Sequence, residues 1–313
     1  MMSNKNKQTG VALLTAILVL ALAAIAATSI AANHELSIRR TENIVFGSQV
    51  WSYLHGGEAW AKVILARDLQ DENEYDATTE AWATKLPPLP LPGGYISGKL
   101  SDEQGKININ SIIIDDSVNQ ATKVRLERLF SLLEQDPTIV QAIIDWIDPD
   151  VQALPPAGAE DDYYIGLEQP YLTANQPMMH ISELRLVKGM TQETYDAVRP
   201  YLTALPDYDN NATPINVNTA QAPVLAAIAP QLGISGAEDI IREREQEPFE
   251  TISAFLTNSL VQGNDTNPEG LSITSSYFNL ESEVKIGNSL IKANTLLHRV
   301  DPQTILVISR APN

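Results

Sequence analysis

The sequence predicts an α+β fold: one very long N-terminal helix and a small antiparallel sheet that is interrupted by a large helical insertion. Three observations predict it. Val11 to Ala32 is an uncharged apolar run that passes directly into an amphipathic stretch ending near Leu69. Strand-like alternation occurs near Tyr95 to Asn110 and then vanishes until Tyr277. The stretch between carries helical periodicity broken by proline and glycine. With 313 residues the chain has room for one large domain or two to three small ones, and a hydrophobic fraction of 44% is that of a folded protein. A formal charge of −18 disfavours a phosphate-binding surface. The absence of cysteine removes disulfides, thiolate metal sites and cysteine nucleophiles, and four scattered histidines argue against a histidine-rich zinc site.

Taken in order, the first element is the apolar run. Its 22 residues contain only Thr15, Thr28 and Ser29 as mild interruptions. As a helix it is roughly 33 Å long, enough for the hydrocarbon core of a bilayer. Lys5 and Lys7 ahead of it place the short tail on the cytoplasmic side, although Arg39 and Arg40 beyond it weaken that bias. A cleaved secretory signal is the ordinary alternative, but no small-x-small site followed by a turn is present. Beyond the run, Phe46, Val50, Tyr53, Gly57, Trp60 and Ile64 recur at steps of four and three, one face of a helix expected to pack on a globular head. A helix from Val11 to Leu69 would be about 88 Å long.

Asp71 to Pro92 is a polar and then proline-rich connection, and its Leu86-Pro-Pro-Leu-Pro-Leu-Pro92 run reads as extended and rigid. Tyr95 to Leu100 and Lys106 to Asn110 are expected to form a hairpin across Asp102-Glu-Gln-Gly105. Tyr277 to Lys285, Ser289 to Arg299 and Thr304 to Ser309 are the later strands, with Gly287-Asn288 as a turn. Helices are expected at Gln120 to Leu133 and Thr138 to Ile147.

Two segments further along look like weak copies of one another. Ile181 to Leu202 contains Leu184-x-x-Val187-x-Gly189-Met190 followed by Tyr195 and Val198. Val224 to Arg244 contains Leu225-x-x-Ile228, then Gly233-Ile234 and Ile240-Ile241. Helix, glycine turn, helix is the helix-hairpin-helix pattern, which raises an exported DNA-binding or DNA-uptake protein as the rival reading. Charge opposes it, because Ile215 to Glu250 holds two basic residues, Arg242 and Arg244, against six acidic ones. A helical packing module is the ordinary reading of the same pattern.

Asp145-Trp-Ile-Asp148-Pro-Asp150 closes one predicted helix, and Glu160-Asp161-Asp162 follows after a loop held irregular by Pro149, Pro155, Pro156 and Gly158. Six carboxylates this close repel one another unless they are solvated or bridged by a cation. Oxygen-only ligands on a flexible loop suit calcium, and the spacing is not that of an EF-hand. A solvated acidic loop stands beside that reading with equal weight. A catalytic carboxylate pair lacks a neighbouring histidine, lysine or nucleophile.

The leader ending in Thr9-Gly10, followed at once by Val11-Ala12-Leu13-Leu14-Thr15, resembles a class III, type IV pilin-like leader, which prepilin peptidase cuts after the glycine. Most such proteins carry glutamate where Thr15 stands, and the K-type minor pseudopilins share this departure. With Gly105-Lys-Ile-Asn-Ile-Asn110, Asp145-Trp-Ile-Asp148-Pro-Asp150, Gly158-Ala-Glu-Asp161, Glu183-Leu184, Ile215-Asn-Val-Asn-Thr-Ala220 and Ser276-Tyr-Phe278, nearly the whole chain resembles the minor pseudopilin K family of type II secretion systems, also called general secretion pathway protein K. The resemblance implies a structural, non-enzymatic subunit. It implies a pilin-like head split by a helix-hairpin-helix (SAM-like) domain, with cleavage between Gly10 and Val11. Residues 1–10 are then a leader, 11–32 the membrane half of the helix, and 33–110 the amphipathic helix and first part of the head. Residues 111–275 are the insertion and 276–313 the closing strands. Calcium would be held by Asp145, Asp148, Asp150, Glu160, Asp161 and Asp162. The implied place is a single-pass anchor in the bacterial inner membrane with the large domain in the periplasm, at the pseudopilus tip. The implied partners are minor pseudopilins I and J, with H, the major pseudopilin G, prepilin peptidase and the inner-membrane secretion platform, and no nucleic acid.

Overall fold

The computed structural model describes residues 9–69, 74–206, 211–263 and 266–312. Of the leader expected over residues 1–10, residues 1–8, with Lys5 and Lys7, lie outside them. Helix α1 (Thr9–Asp68) runs unbroken for 60 residues. It is rich in alanine and leucine and has no proline, so nothing in the chain stops it. Residues 11–45 are all exposed. An apolar helix bare on every side is suited to lipid rather than to water, and α1 is the helix long and apolar enough to cross a membrane.

The remaining strands are β1 (Leu86–Leu91), β2 (Gly94–Asp102), β3 (Ile107–Asn108), β4 (Ile113–Ile114), β5 (Ser117–Val118), β6 (Leu202–Thr203), β7 (Ile215–Asn216), β8 (Leu271–Ser272), β9 (Tyr277–Ile286), β10 (Ser289–Asp301) and β11 (Thr304–Pro312). Five of them form one antiparallel sheet in the order β1-β2-β9-β10-β11. The second half of α1 lies across β9 and β10. Val50 and Leu54 pack with Val284, Ile286 and Ala293, and about two helical turns further on Ala61 and Leu65 pack with Trp82, Leu100, Phe278, Leu280 and Leu297.

The buried seam of α1 is therefore Val50, Leu54, Glu58, Ala61 and Leu65. It is turned slightly from the expected aromatic stripe: Phe46, Tyr53 and Ile64 are only partly buried, and Trp60 is 38% exposed. Slim aliphatic side chains let the helix lie close to the sheet, whereas indole rings are too bulky for that contact. Glu58 is held in the seam by Arg310 at 2.7 and 2.9 Å and by Thr295 at 3.2 Å. Burial raises the Glu58 carboxyl, but the Arg310 guanidinium outweighs it and the group stays below its ordinary range.

Two strand expectations need correction. The proline-rich run is not a free extended connection but the edge strand β1, a place where missing N–H groups cost no ladder bond. The hairpin of Tyr95–Leu100 with Lys106–Asn110 does not form. β2 pairs instead with β1 and β9, while β3 pairs in parallel with β6. The alternation of Ile107 and Ile109 serves a different core, because both are buried in the insertion.

The insertion leaves the sheet after Asp102 and returns at Tyr277, adjacent points because Asp102 pairs with Phe278. It holds α2 (Gln120–Leu132), α3 (Ile139–Ile147), α4 (Asp161–Ile165), α5 (Gln192–Val198), α6 (Ala222–Ile228), α7 (Gly233–Arg244) and α8 (Ile252–Thr257) around one hydrophobic core. Helix α3 is buried on almost every side and forms the centre. Both helix-hairpin-helix segments appear, the first as a 3-10 turn at Ile181–Leu186 before α5, the second as α6 and α7, which meet at 111°.

Candidate functional site

The short polar motifs of the sequence are clamps between distant parts of the chain. Asn108 accepts from Leu205 N at 2.9 Å and donates to Thr213 Oγ1 at 2.9 Å, and Asn110 both donates to Met178 O and accepts from Met178 N. Asn218 exchanges the same pair of bonds with Phe249. These asparagines are buried, so each amide that pairs with two backbone groups removes two unsatisfied polar atoms at once. At Gly105 the two asparagine motifs abut: a Cβ there would lie 2.8 Å from Thr219 Oγ1 and 3.0 Å from its backbone.

Where the head meets the insertion lies a buried ionic network that nothing in the local sequence announces. Arg299 of β10 pairs with Asp68 at the end of α1 at 2.7 Å and with Asp76 at 2.5 Å. Asp76 also accepts from Ser275 N at 2.6 Å, and its carbonyl accepts from Asn216 Nδ2 at 3.0 Å. Asp102 accepts from Gln104 N, from Ser275 Oγ and from the Thr219 hydroxyl. Carboxylates outnumber the guanidinium. Burial, with Glu80 and Asp76 nearby, pushes Asp68 up to about 7 despite Arg299, and burial pushes Asp102 up to about 6 despite its hydrogen bonds.

The acidic loop lies in the insertion, at the end of α3. Asp148, Asp150 and Glu160 come together, with one carboxylate oxygen from each within 4.8 Å of the others. Asp148 and Glu160 are buried, and Asp148 Oδ1 and Glu160 Oε1 find no hydrogen-bond partner among the described residues. Asp145, fully buried beneath them, accepts from Leu154 N at 3.0 Å. The remaining two predicted ligands stand differently. Asp161 accepts from the Thr173 hydroxyl at 2.7 Å and from Thr173 N at 3.0 Å, while Asp162 is exposed in the first turn of α4.

The electrostatics of this site are those of crowded carboxylates. Burial, then Asp150 and Asp145, pushes Asp148 up to about 6. Burial, then Asp145 and Asp148, pushes Glu160 up to about 7. Asp145 is also raised, by burial first, against the bonds from Leu154 and Ala159. Two orphaned buried oxygens in an oxygen-only donor set fit a hard cation with an irregular shell better than they fit a solvated surface. Gly158 makes the packing possible: a Cβ there would fall 2.1 Å from Asp145 Oδ2 and 2.5 Å from Leu154 N. Lys188, donating to Gly158 O at 2.9 Å, lies close by and partly offsets the charge of Asp145.

A family profile described as type II secretion system (T2SS), protein K, matches residues 105–207, and a second of the same description matches 215–274. The chain is 33% identical to type II secretion system protein K of Pseudomonas aeruginosa over 98% of this chain and 93% of that protein. It is 31% identical to the protein K of Aeromonas hydrophila over 99% and 98% of the two chains. The fold matches a chain in the crystal structure of the GspK-GspI-GspJ complex from enterotoxigenic Escherichia coli, with a TM-score of 0.78 and 26% identity, over 88% of this chain and 99% of that one. With a long apolar helix, an antiparallel head and a helical insertion all in place, the chain belongs to the type II secretion system protein K family, the minor pseudopilins.

Proposed function

We propose that this minor pseudopilin stands at the tip of the periplasmic pseudopilus with minor pseudopilins I and J, and serves protein secretion across the outer membrane. The observation that carries the reading is the likeness of helix, head and insertion together to a chain solved within the GspK-GspI-GspJ complex. On this reading the chain is a structural component without enzymatic turnover, with H and the major pseudopilin G further down the filament and the secretion platform at the inner membrane. Helix α1 is the single-pass anchor, and Lys5 and Lys7 ahead of it favour a periplasmic head. Prepilin peptidase cuts between Gly10 and Val11. Thr15 supports a terminal place: its hydroxyl donates to Ala12 O at 3.0 Å within its own helix. It needs no partner from a neighbour, whereas a carboxylate in an apolar helix bundle would. The test is association of the full chain, in detergent, with purified I and J subunits. A stable complex is expected, and no association at micromolar concentrations overturns the tip assignment. N-terminal sequencing after co-expression with prepilin peptidase is expected to begin at Val11, and a start near Ala32 would identify an ordinary signal peptide instead.

The acidic site is assigned to calcium, held by Asp148, Asp150 and Glu160, with Asp145 beneath and Asp161 and Asp162 at the rim. An ion that binds only the native state stabilises it by about 2.7 kcal/mol at a hundredfold excess over Kd. The melting temperature of the full chain is expected to rise with millimolar calcium and fall with chelator, and Asp148→Ala is expected to abolish most of the response. Identical melting with calcium and with chelator would leave the cluster a solvated surface.

A further inference from the structure

We infer that strand β11 is an open sheet edge onto which a neighbouring pilin-like head adds a strand. This rests on the assembly reading above and deepens it by naming where in the head the contact is made.

The five-stranded sheet has two edges, and they are built in opposite ways. At one edge, β1 carries Pro87, Pro88 and Pro90. A strand without those N–H groups cannot pair outward, which is how natural sheets close an edge. At the other edge, β11 bonds only β10 among the described residues. Thr304 to Ser309 contains no proline and no charge. Alternate N–H and C=O groups of such a strand face away from its neighbour and are free to pair.

Two further features leave this edge unguarded. Arg310 is the charged residue of β11 that could repel another strand, but Glu58 of α1 draws it back through a two-pronged ion pair at 2.7 and 2.9 Å. The register of β11 on β10 slips at two places, between Leu296 and Leu297 and between Arg299 and Asp301, and between those slips Ile305, Leu306 and Val307 stay in regular pairing with Arg299, His298 and Leu297. Meanwhile Leu306 is 47% exposed, and Val300 of β10 is 53% exposed. An apolar strip beside free backbone groups is the arrangement used in recognition by strand addition.

Charge selects the occupant. A second copy of this chain would bring another −18 to the contact. The edge itself is uncharged. It therefore suits an extended, uncharged segment with apolar residues at alternate positions, the chemistry of a sheet-edge strand in a different pilin-like subunit.

The experiment is hydrogen exchange on the full chain in detergent, alone and with the I and J subunits. Amides of residues 304–311 are expected to slow by about tenfold or more in the complex while those of β1 do not change. Leu306→Lys, at a solvent-facing position, is expected to weaken association by about tenfold with an unchanged melting temperature, and Leu306→Val to preserve it. A complex that forms with unaltered exchange in 304–311, or that tolerates Leu306→Lys, overturns the inference and leaves the tip assignment standing. Protection that grows with the concentration of the chain alone means self-pairing and overturns it too. Failure of the wild-type chain to associate overturns both readings.

Discussion

Asp145 and Gly158 approach each other so closely that a single methyl group decides whether the acidic loop closes. Gly158→Ala puts that methyl into a carboxylate oxygen and a backbone nitrogen. It is expected to destabilise the protein by about 1–3 kcal/mol and to blunt the calcium response, as read from melting with and without the ion. The ionic network between head and insertion yields a prediction of opposite pH character to an ordinary salt bridge. Asp68 and Asp102 have folded-state pKa values of about 7 and about 6, above those of an unfolded chain. Between pH 4 and 7 the folded state therefore binds more protons, so stability is greatest in mild acid and is lost as pH rises through the folded values. The melting temperature is expected to fall between pH 5 and pH 7.5, and Asp102→Asn to flatten part of that slope. The acidic loop was legible because its carboxylates are close in sequence. The pairing of Asp68 and Asp76 with Arg299 was not, because 231 and 223 residues separate the partners.

Segments were legible where a pattern served one purpose. β9, β10, α2 and α3 fall within a few residues of expectation, since their periodicity reports a single buried face. The misread segments each serve two masters. The residues from Ile107 to Asn110 alternate like a sheet strand but fill the insertion core and clamp its loops. The amphipathic half of α1 carries large aromatics on a flank and slim aliphatics on the face that packs, so the eye follows size where the sheet follows fit. This difference can be measured. Leu54→Ala, in the buried seam, is expected to cost about 2–5 kcal/mol. Trp60→Ala, half free of the head, is expected to cost clearly less, and equal losses would restore the aromatic stripe as the seam.

At the scale of the molecule, the head and the insertion have separate cores: the residues that pack α1 onto the sheet include none from 103–275. Replacing that stretch with a short turn from Asp102 to Ser276 is expected to leave a head that still melts cooperatively, at a lower temperature because the clamps from Asn216 and Thr219 are gone. Loss of all cooperative melting would show that the insertion is required for the head to fold. The adjacency of Asp102 and Phe278 has another consequence, one of timing. The buried core of the insertion lies between Ile107 and Val261, with Leu271 and Ile273 packed against it, so it can be complete while the chain is still being made. The sheet cannot, because three of its five strands come after residue 276. Until they emerge, Val50, Leu54, Ala61 and Leu65 lack Val284, Ile286, Phe278, Leu280 and Leu297, the larger part of their cover, and a nascent subunit carries a finished lobe beside a half-bare, adhesive stalk.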